Sequence, residues 1–166
     1  VGRLFLDHGH RHLLLIARLP TLSVTRQRMT GLGEALNAVD GASVALFESG
    51  DDRADYQRRL IEALSASPRP TGLVISNSLL ATWAIAAIRA MGLAYPRDVS
   101  LIVLESPEWC ELVTPAVSTV RQPTREISEI AWARLQQRMR DPSAKTRCVL
   151  LKPIIELRDF ASTEKR

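Results

Sequence analysis

Residues 72–92, GLVISNSLLATWAIAAIRAMG, contain the strand-and-helix unit that decides the fold of this chain. The first four residues form a short apolar run, which is typical of a strand buried on both faces of a sheet. Residues 79–91 then read as a helix, and Gly92 is the residue type that commonly ends one. The stretch therefore predicts one strand followed by one helix, the repeating unit of a parallel sheet.

The same unit recurs on both sides of this stretch. Strands are predicted at residues 13–17, 43–47, 99–104 and 117–121, with further strand-like runs at 147–151 and 154–157. Helices are predicted at residues 24–39, 56–64, 107–113 and 126–140. Strands that alternate with helices require right-handed crossovers, so we predict an α/β fold, a doubly wound parallel sheet flanked by helices.

Length and composition limit the class of protein. The chain has 166 residues, of which 46% are hydrophobic and 24% charged, as expected for one globular domain. It has no apolar run of about 18 residues, and its first residues lack the apolar core of an export signal, so we expect no membrane span. Two cysteines far apart suit reduced thiols, which favours a cytoplasmic location. The 22 basic residues are spread along the chain, which argues against a nucleic-acid-binding stripe.

The helix at residues 79–91 has almost no polar face, although a helix on the outside of a sheet normally has one. We expect its outer face, including Trp83 and Ala87, to be covered by a second copy of the chain. The alternative is a helix enclosed within a larger lobe. The predicted homodimer interface comprises Thr82, Trp83, Ile85, Ala86, Trp109 and Leu112.

Polar residues follow the ends of the predicted strands. In an open parallel sheet, ligands bind beyond the carboxyl ends of the strands. Arg28 follows the first strand, Asp51 the second, Asn77 the third and Glu105 the fourth. A guanidinium, an amide and carboxylates together can hydrogen-bond a small polar metabolite. The alternative is that strand ends are polar only because loops contact water.

Two stretches, YPRDVSLIVL at residues 95–104 and TPAVSTVRQP at 114–123, resemble the C-terminal half of the LacI/GalR family of bacterial transcriptional regulators. HGHRHLLLIA at residues 8–17 is similar to the turn that enters the first strand of the family's second lobe. The resemblance covers most of the chain. It implies a periplasmic-binding-protein-like lobe that senses a small-molecule effector and dimerises, and not an enzyme. Operator DNA would be bound through a helix-turn-helix headpiece that this chain lacks.

The resemblance also assigns ligand-binding residues. Arg28, three residues before Gly31, matches the family arginine that reaches into the effector pocket. Asn77 matches the asparagine of the family's asparagine–aspartate pair, and Ser78 stands where the aspartate would be and is expected to cap the following helix. Asp51 also belongs to the expected ligand set, on its position after the second predicted strand and not on the resemblance.

Two further stretches resemble those of the family, and the first of them differs from the family's sequence. Glu105 keeps one carboxylate of a family turn that has two aspartates, and Ser106 replaces the other. Gln122, in the stretch TVRQP, is implied to lie near the hinge and the pocket.

The resemblance further implies how the chain is divided. Residues 1–161 would form the effector-binding and dimerisation domain, with residues 122–145 crossing into an absent first lobe and residues 162–166 forming a frayed tail. The helix at residues 126–140 would then be displaced, paired with another subunit or poorly ordered. We expect the chain by itself to bind its effector weakly or not at all.

Parts of the sequence are also compatible with other functions. A sugar-binding protein of a transport system shares the two-lobed architecture. An enzyme could use Glu105 or Glu108 as a base, although a fold alone does not imply catalysis. His8, His10 and His12 alternate, but no carboxylate or cysteine lies beside them at ligand spacing, so we expect no metal site. No cofactor-binding motif is present, and we expect no cofactor.

Overall fold

The computed structural model describes residues 1–160, and within them six strands form one sheet in the order β2-β1-β3-β4-β5-β6. The first five strands are parallel, and β6 is antiparallel to β5. This confirms the doubly wound α/β fold. The strands are β1 His12–Ala17, β2 Ser43–Glu48, β3 Gly72–Ile75, β4 Ser100–Val103, β5 Ser118–Arg121 and β6 Ile154–Glu156. The helices are α1 Gly2–Asp7, α2 Ser23–Leu36, α3 Arg53–Ser65, α4 Ser78–Ala90, α5 Trp109–Leu112 and α6 Thr124–Arg140.

Helices cover both faces of the central strands, which is why residues 13–17, 73–75 and 101–103 are apolar at every position. In β1, Leu13 and Leu15 pack with residues of α1 and α2. Leu14 and Ile16 point the other way and pack with residues of α3 and α4. The sheet thus separates two cores, and the loops at its carboxyl edge are left free to build a site.

Helix α1 is absent from the sequence-based prediction, because six residues are too few for a helical repeat to stand out. Its Phe5 is fully buried and packs against the amino-terminal end of β3. A Cβ added at Gly72 would lie 2.3 Å from Leu13 Cδ2 and 2.6 Å from Phe5 Cδ1. Gly72 is therefore required there, since any side chain would displace Phe5 from the core.

Two helix ends show where the sequence pattern succeeds and where it fails. Helix α4 ends at Ala90, and Gly92 follows with φ +69° and donates its N–H to the carbonyl of Arg89, as predicted. Helix α2 ends at Leu36 rather than at Val39. The apolar spacing continues past the helix because Val39 is half-buried in the turn that leads to β2.

The strand predicted at residues 147–151 does not form, so that prediction was wrong. The segment pairs with no strand in the described part of the chain, and Leu150 is 90% exposed. A strand needs a partner for its backbone groups, and apolar residues alone do not supply one. The tail predicted at residues 162–166 lies outside the described part of the chain.

The outer face of α4 differs from the prediction. Ala87 is fully buried and faces the core, so its assignment to the outer face was wrong. The reason is that small residues let α4 lie close to the sheet and to α3. Trp83 is half-buried, with its ring centroid 5.4 Å from that of Tyr56 on α3. Leu79 and Thr82 are the exposed residues of this helix's first turns.

Helix α6 is a regular helix of 17 residues without a single buried side chain. Four of its larger apolar residues are at least 40% exposed and Ile130 is half-buried; the four are Ile127, Trp132, Leu135 and Met139. The helix therefore contributes nothing to either core, and only its first residues approach the sheet edge.

Candidate functional site

The polar residues that follow β4 and β5 meet at one edge of the sheet. Glu105, after β4, and Gln122, after β5, line the same open cavity of about 590 Å³. The opposite wall is formed by the first turns of α6. The remaining lining residues are Ser106, Arg121, Pro123, Thr124, Arg125, Glu126 and Glu129.

The carboxylate of Glu105 is held against the start of α4. Its Oε2 accepts a hydrogen bond from the backbone N–H of Ser78 at 2.8 Å. That N–H is one of the donors that the first turn of a helix leaves without an internal partner. Oε1 makes no hydrogen bond to any residue in 1–160, so it remains able to accept one from a ligand.

Asn77, and not Ser78, caps α4. The Oδ1 atom of Asn77 accepts a hydrogen bond from the backbone N–H of Leu80 at 3.0 Å. The prediction that Ser78 caps the helix was wrong, because Ser78 is already the first helical residue and gives its N–H to Glu105. Capping occupies the amide oxygen of Asn77 and leaves its Nδ2 group as a hydrogen-bond donor.

Arg28 lies on α2 and is half-buried. Burial lowers the pKa of its guanidinium, and the negative charge of Glu105 raises it. The two residues form no ion pair within 4 Å in the described part of the chain, and Arg28 does not line the cavity that Glu105 lines.

Asp51 lies further away, after the edge strand β2. It forms an ion pair with Arg18 at 2.5 Å, and its side chain is 75% exposed. Asp51 does not line the cavity beside Glu105. Of the five predicted ligand residues, Glu105 and Gln122 line the cavity. Asn77 caps the helix whose first N–H binds Glu105, Arg28 lies on α2, and Asp51 lies apart in the loop after β2.

One carboxylate near the cavity was missed by the sequence analysis. Glu156 of β6 accepts hydrogen bonds from Arg121 Nε at 2.5 Å, from Ser106 Oγ at 2.7 Å and from Thr119 Oγ1 at 2.9 Å. The hydrogen bonds from Arg121, first, and from Ser106 lower the pKa of Glu156 to about 2. The sequence offered one signal for this site: Glu156 is the single acidic residue in the otherwise apolar run at residues 154–157.

The predicted interface residues lie on two neighbouring helices. Thr82, Ile85 and Ala86 belong to α4, and Thr82 is the exposed one of the three. On α5, Trp109 packs partly against the core, whereas Leu112 is 81% exposed. This surface has an apolar component, but part of the predicted set is already used inside the lobe.

The three alternating histidines are engaged separately. His8, His10 and His12 use their Nδ1 atoms for the Leu4 carbonyl at 2.8 Å, the Thr71 hydroxyl at 2.9 Å and the Ser43 hydroxyl at 3.0 Å. Among residues 1–160, no group of three histidine, cysteine or acidic side chains is placed to hold a metal ion. None of the helices in that part of the chain combines the length and apolar character needed to cross a membrane.

Comparison with known proteins agrees with this architecture. The family model for a periplasmic binding protein-like domain matches residues 3–159. The chain is 30% identical over 159 residues to the ribose operon repressor of Haemophilus influenzae, covering 93% of this chain and 47% of that protein. It is 28% identical over 166 residues to the HTH-type transcriptional repressor PurR of Escherichia coli O1:K1, covering 96% and 48%. The chain thus spans about half the length of the curated relatives it matches.

Solved structures share the fold. A LacI family transcriptional regulator from Enterococcus faecium, with bound ribose, matches with a TM-score of 0.83 at 22% identity, covering 99% of this chain and 61% of that one. A LacI regulator from Bacillus cereus subsp. cytotoxis matches with a TM-score of 0.84 at 20% identity, covering 97% and 58%. This chain therefore belongs to the periplasmic binding protein-like domain family.

Proposed function

We propose that this chain binds a small polar metabolite at the carboxyl edge of its sheet and serves as the sensing and dimerisation portion of a LacI/GalR-like regulator. The observation that supports this best is the cavity that Glu105 and Gln122 line together. Asn77 caps the helix bound to Glu105, and the negative charge of Glu105 raises the pKa of Arg28, which is consistent with both lying near the same strand ends. These groups donate and accept hydrogen bonds, as recognition requires. We propose that the chain is not an enzyme.

A sugar or a similarly hydroxylated compound suits these groups. The Arg28 guanidinium can donate to two oxygens at once, and the Asn77 amide can donate to a third. Glu105 Oε1 can accept from a ligand hydroxyl. One relative is named a ribose operon repressor, and one structural neighbour holds ribose, so D-ribose is the natural first probe. Both facts describe those proteins, and they support only the choice of D-ribose as the probe.

The proposed mechanism is a shift between two arrangements of lobes. Residues 122–145 would cross into a first lobe, and the exposed apolar side chains of α6 would pack there. An effector held between the lobes favours one arrangement by its difference in affinity for the two. Such coupling is typically worth about 1–3 kcal/mol.

The signal would reach DNA through further partners. We propose a homodimer through the α4 and α5 surface, operator DNA bound only by a helix-turn-helix headpiece outside this chain, and a cytoplasmic location. The curated relatives are transcriptional repressors, which favours this interpretation over a sugar-binding protein of a transport system.

A titration with D-ribose, followed by ligand-observed NMR, tests the proposal. One lobe is expected to bind weakly, so ribose should be raised to about 100 mM. Arg28→Gln should weaken binding about 10- to 100-fold, since hydrogen bonds from a charged donor are worth about 1.5–3 kcal/mol. Arg26→Gln is the matched control, because Arg26 lies on the same helix but donates to the Thr21 carbonyl.

The results separate cleanly. Binding by the parent chain, lost in Arg28→Gln and kept in Arg26→Gln, supports a crevice that uses Arg28. Equal binding by all three proteins removes Arg28 from the site. The proposed function requires at least weak binding by this lobe alone, which is narrower than the expectation from the sequence, so no binding of D-ribose or of other sugars in a metabolite panel contradicts it.

A further inference from the structure

We propose that Arg121 contacts the effector directly and that Glu156 is the residue that positions it. The inference rests on the proposed function and adds to it a ligand-binding group outside the set expected from the sequence. It depends on how β6 returns beside β5, a contact that brings together residues 35 positions apart.

Glu156 fixes both walls of one corner of the cavity. Its Oε1 accepts from Arg121 Nε at 2.5 Å, and its Oε2 accepts from Ser106 Oγ at 2.7 Å. Arg121 stands at the end of β5 and Ser106 in the loop after β4, next to Glu105. One carboxylate from β6 therefore sets the distance between two lining residues that come from different strands.

The contact leaves most of the Arg121 guanidinium available. Arginine has five N–H donors, and only the Nε donor is used by Glu156. The two Nη groups make no hydrogen bond within the described residues, and the side chain is 48% exposed at the cavity wall. A guanidinium held at Nε presents its Nη donors in a fixed plane, which suits oxygen atoms of a ligand.

Ser106 completes the corner with the opposite polarity. Its hydroxyl proton is directed to Glu156, and the Thr119 hydroxyl lies 3.2 Å from its oxygen. A hydroxyl oxygen has two lone pairs, so Ser106 keeps at least one as an acceptor. Arg121 supplies donors, and Ser106 supplies an acceptor. Together they can receive a hydroxyl group of a sugar, which both donates and accepts. Glu156 pairs with Arg121 and also with Arg158, which in turn pairs with Glu111. The two arginine charges are therefore balanced by two carboxylates, and an uncharged hydroxyl fits this corner.

The experiment compares affinities for D-ribose and its 2-deoxy, 3-deoxy and 5-deoxy forms, measured by ligand-observed NMR on the whole chain. Arg121→Gln should weaken D-ribose binding about tenfold, the fold-change expected when one charged hydrogen bond is lost. For the deoxy sugar that lacks the contacted hydroxyl, the same substitution should change affinity less than about twofold. Arg121→Lys, which keeps the charge but not the planar fork, should fall between them.

Two other variants define the roles. Glu156→Gln should reduce the discrimination between D-ribose and that deoxy sugar, because Arg121 is then less firmly held. Arg58→Gln is the matched control: Arg58 lies on α3 outside the cavity, is 60% exposed and is paired with Asp55 at 2.6 Å and with Glu62 at 2.8 Å. It should leave the affinity for every sugar within about twofold of the parent value.

The outcomes are distinguishable. If Arg121→Gln binds D-ribose as the parent does, or weakens all four sugars by the same factor, Arg121 makes no selective contact and the inference is overturned while the proposed function stands. If the parent chain binds none of these sugars, the proposed function fails and the inference fails with it. Melting temperatures of each variant show whether a uniform loss reflects a damaged fold.

Discussion

Replacing Asn77 by alanine and by serine separates two contributions of one side chain. Its Oδ1 caps α4 through the N–H of Leu80 at 3.0 Å, and its Nδ2 group is proposed to donate to the effector. Alanine removes both groups. Serine keeps an oxygen that caps helices well but has no amide donor.

The magnitudes follow from these contacts. Loss of the cap in Asn77→Ala should lower the free energy of unfolding by about 1 kcal/mol. For a domain of this size, that corresponds to a fall in melting temperature of about 2–4 °C. Asn77→Ser should melt within about 1 °C of the parent. Both variants should bind D-ribose about 2- to 10-fold more weakly, since one neutral hydrogen bond is worth about 0.5–1.5 kcal/mol.

Thermal denaturation followed by circular dichroism gives the first quantity, and ligand-observed NMR gives the second. If Asn77→Ser loses as much stability as Asn77→Ala, the capping argument is refuted. If Asn77→Ser binds ribose as tightly as the parent, the amide of Asn77 takes no part in recognition. The two results are independent, so one role can fail without the other.

Three further perturbations test the core, the Glu156 contact and the proposed dimer. Gly72→Ala should lower the free energy of unfolding by about 1–3 kcal/mol in urea, since an added Cβ would lie 2.3 Å from a leucine methyl carbon. Gly33→Ala is the control and should be neutral or stabilising, because an added Cβ meets open space there. The pKa of Glu156 is lowered from its ordinary value of 4.5 to about 2, so its ionised form stabilises the fold at pH values above 4.5. That contribution is lost as the pH falls toward 2. The stability advantage of the parent over Glu156→Gln should therefore be smaller at about pH 3 than at about pH 6, and an equal difference at both would contradict the assignment. Leu112→Asp should shift the sedimentation coefficient toward that of the monomer. Leu150→Asp should not, because Leu150 is similarly exposed but lies outside the predicted interface. A parent chain that is monomeric at all concentrations would rule out a dimer formed by this chain alone.

The parts of the fold that the sequence predicts are those carried by local patterns. Apolar runs such as residues 13–17 and 72–75 become strands covered on both faces, and Gly92 ends α4. The positions of Asn77 and Glu105 were predictable for the same reason, since a residue that follows a parallel strand must lie at the carboxyl edge of the sheet.

What the sequence could not reveal depends on contacts between distant segments. Glu156 reaches Ser106 across 50 positions, and no local pattern records that pairing. Ala87 was misplaced because an alanine fits either face of a helix, and only close packing against the sheet decides which. The strand predicted at residues 147–151 has the right composition, but a strand also needs a neighbour.

The central claim is that a small polar molecule binds where β3, β4 and β5 end. A map of backbone amide chemical shifts during titration with D-ribose tests it most directly. We predict shifts concentrated at residues 76–78, 105–106 and 121–122. Shifts confined to other surfaces, such as the exposed side of α2 at Arg26 and Thr30, or no shifts with any sugar, would contradict it.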